Sequence, residues 1–62
     1  MKREEILNAI KSLAKSQGFY GRLYARIMEL KEENEENFNE FMLQLENEKF
    51  SDTLDLVMYF EC

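Results

Sequence analysis

Residues 4–30 read EEILNAIKSLAKSQGFYGRLYARIMEL, and the fold turns on how this stretch is divided. In its first half Ile6, Leu7, Ile10, Leu13 and Ala14 recur at i, i+1, i+4, i+7 and i+8, the stripe of an amphipathic helix. Glu4 and Glu5 fall in the first turn of that helix, where its dipole favours negative charge. Gly18 reads as the stop, because glycine takes the left-handed conformation that ends helices at little steric cost. The spacing therefore predicts a helix over residues 3–17. Beyond it Phe19, Tyr20, Leu23, Ile27 and Leu30 line one face, broadened by Tyr24 and Met28, which predicts a second helix over residues 20–33. Gly21, near its beginning, costs about 1 kcal/mol relative to alanine and points to a close helix approach.

Outward from this hairpin, residues 31–37 carry no apolar side chain, a gap that separates two hydrophobic stripes. Asn34 is placed to cap a new helix, with Glu35 and Glu36 in its first turn. That third helix buries Phe38, Phe41, Met42 and Leu45, an i, i+3, i+4, i+7 set. A continuous rod through helices two and three competes with this reading, but a tight turn suits a compact chain of 62 residues better. Residues 49–52 read as a break, with Ser51 or Asp52 capping a final helix that ends near Glu61. In that last segment Leu54, Leu56, Met58 and Phe60 alternate as a strand would, whereas Leu54, Val57 and Met58 share a helical face. A lone strand has no ladder partner for its backbone, which favours helix. Apart from Asp55 the segment is apolar on nearly every side, as expected of an element packed between others or covered by a partner. The expected fold is all-α, a compact bundle of three to four short helices making one domain over residues 1–62.

Composition supports this. The chain has no Pro, two Gly and 34% charged residues, which favours helix, and its 45% hydrophobic share is too high for disorder. A domain of this size buries only about 60% of its unfolded surface, so its core is thin. There is no His and a single Cys, Cys62, which leaves no internal disulfide and no set of zinc ligands. No apolar run approaches the ~20 residues that span a bilayer, and the N-terminus lacks a signal-peptide pattern, so a cytoplasmic protein is expected. The net charge of −5 is unevenly spread. Lys2, Arg3, Lys11, Lys15, Arg22, Arg26 and Lys31 precede the acidic stretch, and after it only Lys49 is positive. Attraction between the two halves on folding, with the remaining charge keeping the surface solvated, accounts for this division.

Nucleophilic catalysis needs a nucleophile beside a base, and Ser12, Ser16, Ser51 and Cys62 have no histidine to activate them. The carboxylates cluster in an exposed turn where nothing raises a pKa, and residues 32–36 lack the alternating ligands and central glycine of a calcium loop. No catalytic residue, cofactor, metal ligand or small-molecule substrate is expected. Around the first turn, Leu13, Ala14, Gly18, Phe19, Tyr24 and Ile27 are similar in spacing to a helix-turn-helix motif. In that reading Arg22 and Arg26 meet DNA while Lys11 and Lys15 touch phosphates. Gln17 departs from the motif, Tyr20 is a poor cap, Arg26 can pair with Glu29, and the acidic second half repels phosphate. A membrane-surface role for helix one would take one of the few apolar faces away from the core, so it is set aside. Tyr20, Tyr24 and Tyr59 read as edges of the core with their hydroxyls in water.

KSQGFYGRL (residues 15–23) and DLVMYFE (residues 55–61) resemble short uncharacterised helical proteins of bacteria and their phages. The resemblance implies such an origin and carries over no activity and no functional residue. The role expected is that of a non-enzymatic protein-binding module, self-associating or meeting another protein through Leu56, Tyr59 and Phe60 of the last helix, or through the acidic face at residues 32–40. The alternative is a small DNA-binding or regulatory protein using Arg22, Arg26, Lys11 and Lys15.

Overall fold

The computed structural model describes residues 1–61; Cys62, the lone thiol of the sequence, lies outside them. Among the described residues lie four helices, α1 (Arg3–Ala14), α2 (Gly18–Glu33), α3 (Glu35–Asn47) and α4 (Thr53–Glu61), the all-α bundle that the periodicity implies. Its radius of gyration of 11.1 Å is close to the ~10.5 Å of a compact chain of this length.

Local hydrogen bonds explain where each helix begins. The backbone N–H of Lys2 donates to Glu5 Oε1 at 2.9 Å and starts α1. Asn34 alone separates α2 from α3: its N–H donates to the Leu30 carbonyl at 2.8 Å, closing α2, and its Oδ1 accepts from the Asn37 N–H at 3.1 Å, opening α3. This double use, with Asn34 at φ −151 and ψ 87, breaks the chain where a continuous rod would have run on. Asp52 Oδ1 accepts from the Asp55 N–H at 3.1 Å, and the Asp55 carboxylate accepts from the Ser51 N–H at 3.0 Å and from the Ser51 hydroxyl. These reciprocal bonds fix the start of α4 as a helix and settle the strand alternative.

The first turn differs from the expectation. Gly18 is the first residue of α2, not a left-handed terminator, and no described glycine has a positive φ. Helix α1 stops at Ala14; the N–H groups of Ser16 and Gln17 donate to the Leu13 carbonyl at 3.1 and 3.0 Å, and Gln17 is extended at φ −133, ψ 120. That tight link turns the chain with ordinary backbone angles, so no left-handed residue is needed. The left-handed position falls instead on Lys49, φ 55, just after α3. Gly21 also proves permissive: a Cβ there would lie 3.8 Å from the Ala14 carbonyl oxygen, an ordinary contact.

The core is built around α1, which packs against each of the other three helices. Ile6 and Ile10 of α1 meet Tyr20 and Ile27 of α2, Phe38, Met42 and Leu45 of α3, Phe50 of the α3–α4 link, and Leu56 of α4, all buried. The Met1 ammonium donates to the Phe50 carbonyl at 2.6 Å, drawing the link against α1. Nearby in sequence, Arg3 Nε meets Glu46 Oε1 at 2.9 Å, Arg3 Nη1 donates to Asn39 Oδ1 at 3.0 Å, and the guanidinium stands 5.8 Å from the Phe38 ring centre. Arg3–Glu46 is the one ion pair among the described residues that joins the basic first half to the acidic second half. Among the described residues no helix is long and apolar enough to cross a membrane.

Three substitutions test this account, each read by chemical and thermal melts. Gly21→Ala adds helix propensity without a clash, and Lys49→Gly relieves the left-handed lysine, so each raises stability by about 0.5–1 kcal/mol. Leu56→Ala leaves a cavity in the core and lowers stability by about 2–5 kcal/mol, a large share of what so small a domain has.

Candidate protein-interaction surface

The cap at Ser51, Asp52 and Asp55 fixes where α4 starts, and packing against α1 fixes which side faces in. Leu56 is fully buried and Val57 and Phe60 are half-buried. Leu54, Met58 and Tyr59 face outward, 64, 55 and 45% exposed. This corrects two expectations. Leu56 belongs to the core and is withdrawn from the surface proposed for it; Leu54 and Met58, which share a helical face with Val57 and are not among the residues expected at that surface, are the most exposed apolar side chains of the helix. A segment apolar on all sides has no preferred phase of its own, and Leu56, Val57 and Phe60 are the residues that meet the rest of the core. One signal in the sequence does mark the outer side. Asp55 is the only charge inside the segment, and Leu54, Met58 and Tyr59 are its neighbours at i−1, i+3 and i+4.

Aromatic side chains brace this helix from behind. Phe60 stands edge-on to Tyr20 at 6.5 Å and to Tyr59 at 5.2 Å, and Tyr59 is edge-on to Phe50 at 5.4 Å. Tyr20, expected to keep its hydroxyl in water, is buried, and its hydroxyl donates to Glu61 Oε2 at 3.0 Å. Burial, then the hydrogen bond to Glu61 and the charge of that carboxylate, push the phenol up to about 12, so it stays protonated and ties α2 to the last turn of α4. Next to it Phe19 is exposed and, with Gln17, Phe60 and Glu61, lines a shallow recess of about 300 Å³.

The cations suggested for DNA are all exposed. Lys11 is in the last turn of α1 and Lys15 in the link, while Arg22 and Arg26 lie one turn apart on α2. The Arg22 guanidinium folds back beside Gly18, and Arg26 Nη1 lies 3.9 Å from Glu29 Oε1. Glu32, Glu33, Glu35, Glu36 and Glu40 are exposed around the α2–α3 corner. Two further hollows mark the surface. An open trough of about 420 Å³ between α1 and the start of α4 is lined by residues such as Asn8, Ala9, Ser12 and Thr53. A groove of about 250 Å³ between α2 and α3 is lined by Leu23, Ile27, Leu30 and Phe41, with Arg26 as its charged member.

The Asp55 carboxyl is held below its ordinary value of 3.8, first by the Ser51 hydroxyl and then by the Ser51 backbone N–H. A carboxylate whose folded pKa is depressed contributes stability above its unfolded pKa and loses it as pH falls through the folded one. Melts taken from about pH 5 down to about pH 2 are expected to lose stability below pH ~4, with a smaller loss in Asp55→Asn; parallel curves for the two chains would remove this carboxylate from the account. Comparison of the chain with protein-family models, with curated proteins and with solved structures finds no match.

Proposed function

We propose that this chain is a non-enzymatic interaction module that associates with a second copy of itself through the outer face of α4. The observation that carries the reading is the joint exposure of Leu54, Met58 and Tyr59 on a nine-residue helix whose inner side is already seated on the core. Single exposed apolar residues are ordinary, whereas adjoining ones on one short element form a patch that soluble proteins keep for contact. Charge favours a copy of the same chain as the occupant: α4 and its cap carry Asp52, Asp55 and Glu61 and no cation, while α1, the link after it and α2 carry exposed Lys11, Lys15, Arg22 and Arg26. A duplex-DNA reading of those four cations has their exposure to support it, but the net charge of −5 opposes a polyanion.

Full burial of a large apolar side chain contributes about 1.5–3 kcal/mol, and these three are already partly covered. Set against the cost of association, that leaves room for a weak complex only. Sedimentation equilibrium from about 10 µM to about 1 mM is expected to show mass rising with concentration. Leu54→Glu, at an exposed position, is expected to keep the helical circular dichroism of the parent and to weaken association by about tenfold or more. A monomer at every concentration defeats the proposal.

A further inference from the structure

We infer that the outer face of α4 docks head to tail into the groove between α2 and α3 of a second copy, Leu54 and Met58 entering between Leu23, Ile27, Leu30 and Phe41; this rests on the proposed role of α4. The groove, at about 250 Å³, is smaller than the ~300–1,000 Å³ of pockets that hold drug-sized ligands. Its lining is aliphatic and aromatic apart from Arg26, which suits a pair of apolar side chains and offers no array of polar groups to orient a small molecule.

Charge decides between this arrangement and α4 pairing with α4. Two copies of α4 related by a two-fold axis would bring Asp52, Asp55 and Glu61 of each together with no cation in either helix. The groove supplies the missing sign. The Arg26 side chain is 80% exposed and is only loosely held, 3.9 Å from Glu29, and exposed Arg22 stands one turn earlier on the same helix. A carboxylate of the incoming α4 thus meets a guanidinium at the edge of an apolar contact, where the pair sets register and partner choice and a reversed charge would oppose two carboxylates across the contact.

Geometry within one molecule keeps the two surfaces apart. Helix α4 packs on α1, and no residue of α4 lines the α2–α3 groove. Each copy therefore offers one knob and one groove. The contact is heterologous, and it extends into oligomers larger than a dimer unless the rotation between copies closes a ring.

Mixing of complementary variants tests this. Leu54→Glu spoils the knob and leaves the groove, and Arg26→Glu spoils the groove and leaves the knob; both positions are exposed, and circular dichroism checks that both fold. Sedimentation velocity is expected to show each variant alone weakened by about tenfold or more, and an equimolar mixture recovering a 1:1 dimer through the one intact contact. If Arg26→Glu associates as the parent does while Leu54→Glu is monomeric, this inference fails and the proposed role of α4 stands. Two weakened variants that do not recover on mixing also overturn it. A Leu54→Glu chain that associates as the parent does overturns both.

Discussion

Burial of Ile6 and Ile10 is the constraint on which the rest of this structure depends. Both side chains are fully covered, and the helix that carries them packs against each of the other three. With no internal disulfide open to a chain that has one cysteine, the free energy that offsets chain entropy must come from this single core. Every other element is arranged to reach it: α2 through Tyr20 and Ile27, α3 through Phe38, Met42 and Leu45, the α3–α4 link through Phe50, and α4 through Leu56.

Two of the three breaks are made by short polar side chains, and none by a left-handed glycine or a proline. Asn34 ends one helix and begins the next, and Ser51, Asp52 and Asp55 form a reciprocal cap for α4. Such caps have a second effect, on the surface that α4 presents. By anchoring the first turn of α4 while α1 holds Leu56, they leave Leu54, Met58 and Tyr59 no route inward, so the apolar outer face follows from the geometry of the cap and the seat together.

The charge division of the sequence is used sparingly inside the fold. Arg3 spans from α1 to α3 through Glu46 and Asn39, but Lys11, Lys15, Arg22 and the α2–α3 glutamates are spread over the surface. Exposed pairs contribute little to stability, so this distribution bears mainly on what approaches the molecule and in which orientation. The proposed self-association would set an acidic, apolar α4 against a groove that has Arg26 at its edge.

By itself the sequence determined the helical class, the stripe of Ile6 and Ile10, Asn34 as the place for a break if helices two and three are not one rod, a cap at Ser51 or Asp52, and the exposure of the basic residues. Each of these rests on interactions within three or four residues or on the period of one helix, so a local reading captures them. It misread the first turn, because Gly18 permits a left-handed conformation that the short Lys15–Gln17 link does not require. Only the tertiary structure decided the phase of α4, the burial of Phe50 and Leu56, the pairing of the Tyr20 hydroxyl with Glu61, and the groove between α2 and α3. Those features join residues far apart in the chain, and a segment that is apolar all round presents the same local pattern in every rotation; its inward side is chosen by what the distant core has left open.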